Sequence, residues 1–145
     1  MEQNVVNSLM SQWRGKIPSD SVYQIQEELK SFNGGAEVFY GLSLKSKVVG
    51  LLLGLFLGSF GVDRFYKGDK KLGIYKLTLF LVYLVAVIIG NIVVEVGVGE
   101  EIIIGIVGLL WSFLGIWCFV DLFLVWKGIP KDNLKVIQQA IANAH

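Results

Sequence analysis

Cysteine, histidine and proline are nearly missing: of 145 residues, one is Cys, one is His and two are Pro. A lone Cys118 excludes a disulfide framework within the chain and reads as a small apolar residue packed in a helix. His145 stands by itself, so no His-based metal set or catalytic triad can be assembled around it. Charge is scarce too. Asp, Glu, Lys and Arg make up 17% of the chain and leave a net charge of +1. No cluster of Lys and Arg marks a nucleic-acid surface. No nucleophile elbow, metal-ligand spacing or phosphate loop occurs, so no cofactor and no catalytic residue are expected. Gly68-Asp69-Lys70-Lys71 lacks both the glycine frame and the hydroxyl residue of such a loop. Residues 1–44 hold no apolar run, so no cleavable signal peptide is expected either.

What the chain has in abundance is uninterrupted apolar sequence. Residues 48–62, 77–94 and 102–120 carry no formal charge, and neither Pro falls inside them. At ~1.5 Å rise per residue, the last of these gives about 28 Å of helix, close to the ~30 Å hydrocarbon core of a bilayer. Soluble helices seldom run so far without a charged face. The expected fold is therefore all-α: a helical integral membrane protein with three apolar segments, about 48–62, 72–94 and 102–126. Short amphipathic helices flank them at both ends. Three regions follow: a polar head over 1–44, a membrane domain over 45–129 and a tail over 130–145. The lipid bilayer is the first partner.

In the head, Val5, Val6, Leu9, Met10 and Trp13 repeat at helical spacing and predict one amphipathic helix. Val22, Ile25, Leu29 and Phe32 predict a second. Ser21 with Gln24 fits a capping box at its start, and Asn33-Gly34-Gly35 fits a left-handed stop at its end. Neither polar face is rich enough in Lys and Arg for a lipid-surface anchor, which favours packing on protein. Leu134, Ile137 and Ile141 predict a short helix in the tail.

Small residues line the membrane segments. Gly50, Gly54, Gly58 and Gly61 fall within about 80 degrees of one helix face, and so do Gly105, Gly108, Ser112 and Gly115. In lipid such ridges let backbones approach closely. They serve either a neighbouring segment or another copy. Orientation follows from the positive residues. Arg64, Lys67, Lys70 and Lys71 in the connector and Lys127, Lys131 and Lys135 in the tail favour the cytoplasm, whereas the turn 95–101 has no base and faces outward. Segment 48–62 is marginal at about 22 Å; a crossing is favoured over a re-entrant path.

Asp121 needs an explanation, because a carboxylate within an apolar helix is costly. Its expected partner is Arg64 near the same interface. The alternative is a polar path for protons or cations, with Asn91 contributing. Lys76 is expected to snorkel to the interface and Trp126 to anchor there.

The run Leu57-Gly58-Ser59-Phe60-Gly61-Val62-Asp63-Arg64-Phe65-Tyr66-Lys67-Gly68-Asp69, followed by Leu72-Gly73-Ile74 and Lys76-Leu77, resembles the TM2 domain family of small multi-pass membrane proteins. Gly115-Ile116-Trp117 with Asp121 resembles the family's last helix, and Lys131-Asp132-Asn133 resembles its ending. Gly15-Lys16-Ile17-Pro18 is similar to bacterial members, which implies a bacterial cell membrane. The resemblance spans 45–133 and makes Asp63, Arg64, Phe65, Tyr66, Gly68 and Asp121 the motif residues. Family members usually have two membrane segments. Here residues 78–108 look inserted between the connector and the Trp…Asp helix. The family implies no catalytic activity. The expected role is therefore assembly, as a scaffold or regulatory subunit that is homo-oligomeric or joined to a partner membrane protein. The alternative is an oligomeric pore using Asp121.

Overall fold

A computed structural model describes every residue except Val96, Val98 and His145. Readings that fall on His145, or on Val96 and Val98 within the turn 95–101, therefore lie outside the described residues. Among those described, all regular structure is helical. The helices are α1 (Gln3–Trp13), α2 (Val22–Ser31), α3 (Glu37–Tyr40), α4 (Lys47–Leu57), α5 (Val62–Lys67), α6 (Lys70–Glu95) and α7 (Glu100–Asn143). Two 3-10 turns, Ser19–Ser21 and Gly58–Phe60, precede α2 and follow α4. The chain divides into two compact units, residues 1–50 with 126–145, and residues 51–125.

The first unit joins the head and the tail, which the sequence presents as separate appendages. Val6, Leu9 and Trp13 of α1, Ile25 and Leu29 of α2, then Phe32 and Phe39 form one buried core with Ile137 and Ile141 of α7. The 3.6-residue spacing puts these side chains on one stripe per helix, and burying the stripes together drives the packing. Phe39 sits edge-on to Trp13 at 5.7 Å and to Phe32 at 5.3 Å between ring centroids. Two local readings are corrected. Ser21 makes no side-chain cap, because the 3-10 turn at Ser19–Ser21 already carries the chain into α2. Gly34 and Gly35 are not left-handed. Gly34 is required because a Cβ there would lie 2.4 Å from the Phe32 ring.

Asn133 ties this unit together. Its Nδ2 donates to the carbonyls of Lys16 and Lys45 at 2.8 Å, and its Oδ1 accepts from the Lys45 N–H at 2.9 Å. Lys47 Nζ lies 5.2 Å from the Trp126 ring centroid, a cation–π contact. The tail is not a separate helix. α7 runs on through Pro130, which is buried, as are Ile129 and Asn133 around it. A proline costs one backbone bond inside a helix, and here tertiary packing outweighs that local loss.

The second unit contains α6, α7 as far as Val125 and part of the shorter apolar α4; α6 and α7 are the two helices long and apolar enough to cross a membrane. Ile88, Ile92, Ile104, Leu109, Phe113, Ile116 and Phe119 are all exposed on it. A surface of that kind is stable only against lipid tails. Side-chain contacts fix the registers: Lys76 meets Asp121, Tyr83 meets Trp111, and Gly90 meets Ile103. α6 and α7 are therefore antiparallel. Gly54 lies beside Leu122 and Ser59 beside Cys118, so this part of the chain runs antiparallel to α7 as well.

Segment 48–62 is not one continuous helix. α4 stops at Leu57, a 3-10 turn follows, and Gly61 turns the chain back with φ +73°. A side chain at Gly61 would strike the Gly73 carbonyl oxygen at 2.5 Å, so this position needs glycine for its dihedral and for its space. After that turn, α5 brings Asp63 and Arg64 back past α6 and α7.

Candidate functional site: a buried ion network

Asp63 and Arg64 are neighbours near the start of α5, so their side chains diverge by about 100 degrees around it. Asp63 faces Lys76 of α6, whose Nζ donates to its two carboxylate oxygens at 3.2 and 3.1 Å. Arg64 faces α7, where its Nη2 donates to Asp121 Oδ1. Lys76 also stands 2.6 Å from Asp121 Oδ2 as an ion pair and so joins the two carboxylates. At the outer edge, Arg64 Nη1 and Lys67 Nζ donate to Asp69 Oδ2 at 2.9 and 2.7 Å. Asp63, Arg64, Lys76 and Asp121 are all buried, the most exposed of them at 6%.

Three carboxylates meet three cations, so the set is electrically neutral. That balance is what lets it exist. An isolated charge in hydrocarbon costs several kcal/mol, whereas a closed set with good geometry offsets much of its own desolvation. Asp69 is the partly exposed member. Burial pulls its carboxyl upward, but the hydrogen bonds from Lys67 and Arg64 outweigh this and hold it below the ordinary carboxylate range.

The structure brings together Asp63, Arg64 and Asp121 from the sequence-derived set. Phe65 lays its ring over Gly73, at 3.0 Å from where a Cβ would stand. Tyr66 is half-buried on α5, and Gly68 ends that helix with φ +109°. Lys76 corrects its reading: it does not snorkel but is buried at the centre of the network. A lone lysine a turn inside an apolar helix was the visible signal, and a second nearby carboxylate was the missing datum. Asp69 and Lys67 were also not foreseen as members.

The small-residue faces separate into two kinds. Gly50, Gly54, Gly58 and Gly61 are buried. By contrast, Gly105, Gly108 and Gly115 have open space where a side chain would be, and Ser112 is exposed, its hydroxyl donating to the Gly108 carbonyl. Two close approaches come from glycines outside both ridges, Gly73 against Gly61 and Gly90 against Ile103. Among the described residues no group of His, Cys, Asp and Glu is arranged to hold a metal ion.

Such a unit defines a class: a multi-pass helical membrane protein in which a short apolar hairpin is locked to two long helices by buried ion pairs. Residues 43–92 match the TM2 domain, and that part of the chain is similar to a family not known as an enzyme family. The match covers α4, the connector and most of α6. It continues well past position 78, where the sequence looked interrupted, and it stops short of the Gly115-Ile116-Trp117…Asp121 element. No curated protein and no solved structure matches the chain.

Proposed function

We propose that this protein is a non-enzymatic membrane scaffold or regulatory subunit that acts by assembly through the open face of α7. The bilayer holds α6 and α7 as two spans, with the turn 95–101 outside. Residues 63–71 and the tail lie in the cytoplasm, as the positive residues favour. Both chain ends share one core, which supports an even number of crossings. The carrying observation is the face of Gly105, Gly108, Ser112 and Gly115, where among the described residues the three glycines have open space for a side chain and Ser112 is exposed. In lipid, a row of small residues gives a second helix close backbone contact, the usual basis of association there.

Asp121 favours this reading over a pore. Both of its oxygens face cations of its own chain, so this carboxylate is not free to pass ions along a path. Cross-linking and mass measurement in detergent test assembly. Wild-type chain is expected as an oligomer or in a stable complex, and Gly105→Leu with Gly115→Leu as a monomer. Cation flux through liposomes holding the wild-type chain, abolished by Asp121→Asn, would establish the pore instead.

A further inference from the structure

Between the outer halves of α6 and α7 lies a groove of about 510 Å³, within the range of small-molecule sites. Its floor is apolar: Val87, Val94, Ile103, Ile104 and Val107 contribute, and Tyr83 and Trp111 close one end with ring centroids 5.2 Å apart. Asn91 and Glu100 stand towards the other end. Asn91 Nδ2 is committed to the Val87 carbonyl at 2.7 Å, so the amide leaves its Oδ1 as an acceptor. The Glu100 carboxylate makes no ion pair or hydrogen bond among the described residues. No Lys or Arg occurs from position 77 to 126, while Glu95 and Glu101 add to the negative charge of this end. The mouth offers acceptors and negative charge, and the occupant must bring donors and a cation.

We infer that this groove binds a phospholipid with a primary ammonium headgroup, its acyl chain along the apolar floor and its ammonium against Glu100 and Asn91. Chemistry separates this head from its competitors. A glycerol phosphate head brings net negative charge to an acidic rim and is repelled. A choline head has no N–H to donate. Its natural partners are aromatic faces, and Trp111 lies eleven residues along α7 from Glu100, about 16 Å away.

Native mass spectrometry of the full chain, released from vesicles of equal phosphatidylethanolamine, phosphatidylcholine and phosphatidylglycerol, tests it. Retained lipid is expected to be enriched in phosphatidylethanolamine by about two- to fivefold, the value of one exposed charge contact. Glu100→Gln, at an exposed helix start, should bring the three lipids to parity. Gly108→Leu, whose side chain enters open space in the groove, should remove the retained lipid altogether. Equal retention of the three lipids by the wild-type chain overturns the inference. So does enrichment that survives Glu100→Gln.

Discussion

Asp121 is paired twice over, and its removal should be felt as an electrostatic fault. Asp121→Asn leaves three cations facing two carboxylates in a buried site, a broken pair of the kind that costs about 3–5 kcal/mol. Unfolding of the purified chain in mixed micelles should show a loss of that order. Lys76→Met alone should be similarly harmful, whereas Lys76→Met with Asp63→Leu should be milder than either single change, because the pair leaves together. A double change as costly as the two singles combined would mean that Lys76 and Asp63 are not coupled. Asp69 gives a pH signature. Its folded-state pKa is lowered, so its contribution is present above the ordinary carboxylate range and is lost as pH falls through the lowered value. The stability gap between the wild type and Asp69→Asn should close on acidification. A gap that widened would reverse the sign argued here. At this scale the sequence exposed the anomaly, a carboxylate in an apolar helix, and even one partner, Arg64. It could not expose Lys76, because snorkelling and burial place a lysine at the same position in the chain. Only the nearness of Asp63 decides between them.

At the scale of elements, pattern was a good guide to helices and a poor guide to their ends. The apolar stripes of α1 and α2 and the lengths of α6 and most of α7 follow from periodicity and from missing charge. Failures cluster where contacts made elsewhere in the chain override local preference. Pro130 does not end α7, because Ile129, Asn133 and Ile137 are buried on either side of it. α4 ends at Leu57 and the chain turns at Gly61, within a segment that composition alone would carry as one helix to Val62. Asn133 looked like part of an ending and is instead a three-bond clasp on Lys16 and Lys45. Asn133→Ala should cost about 3 kcal/mol, at about 1 kcal/mol for each hydrogen bond lost. Thermal unfolding followed by near-ultraviolet signals from Trp13 would register it. A loss no larger than that of an exposed substitution such as Asn143→Ala would show that water replaces the clasp.

For the whole molecule, the decisive quantity is the number of crossings. Two spans with both ends on one side require that Ser8→Cys and Asn143→Cys react with an impermeant thiol reagent from one face of the membrane and Glu101→Cys from the other. The native Cys118 is first replaced by Ser. Labelling of Ser8→Cys and Asn143→Cys from opposite faces would restore a third crossing and with it a spanning segment 48–62. Sequence alone left this open because the length of that segment suits neither answer well. The turn at Gly61 and the paired charges behind it carry the information, and both depend on neighbours distant in the chain.

The core shared by the two chain ends has a consequence for synthesis. Val6 and Leu9 leave the ribosome long before Ile137 and Ile141, which complete their core. Until the later part of α7 has been made, the apolar stripes of α1 and α2 lack the helix that closes over them. Contacts so far apart in sequence form slowly. The nascent protein must therefore wait, partly made and exposed, for α7.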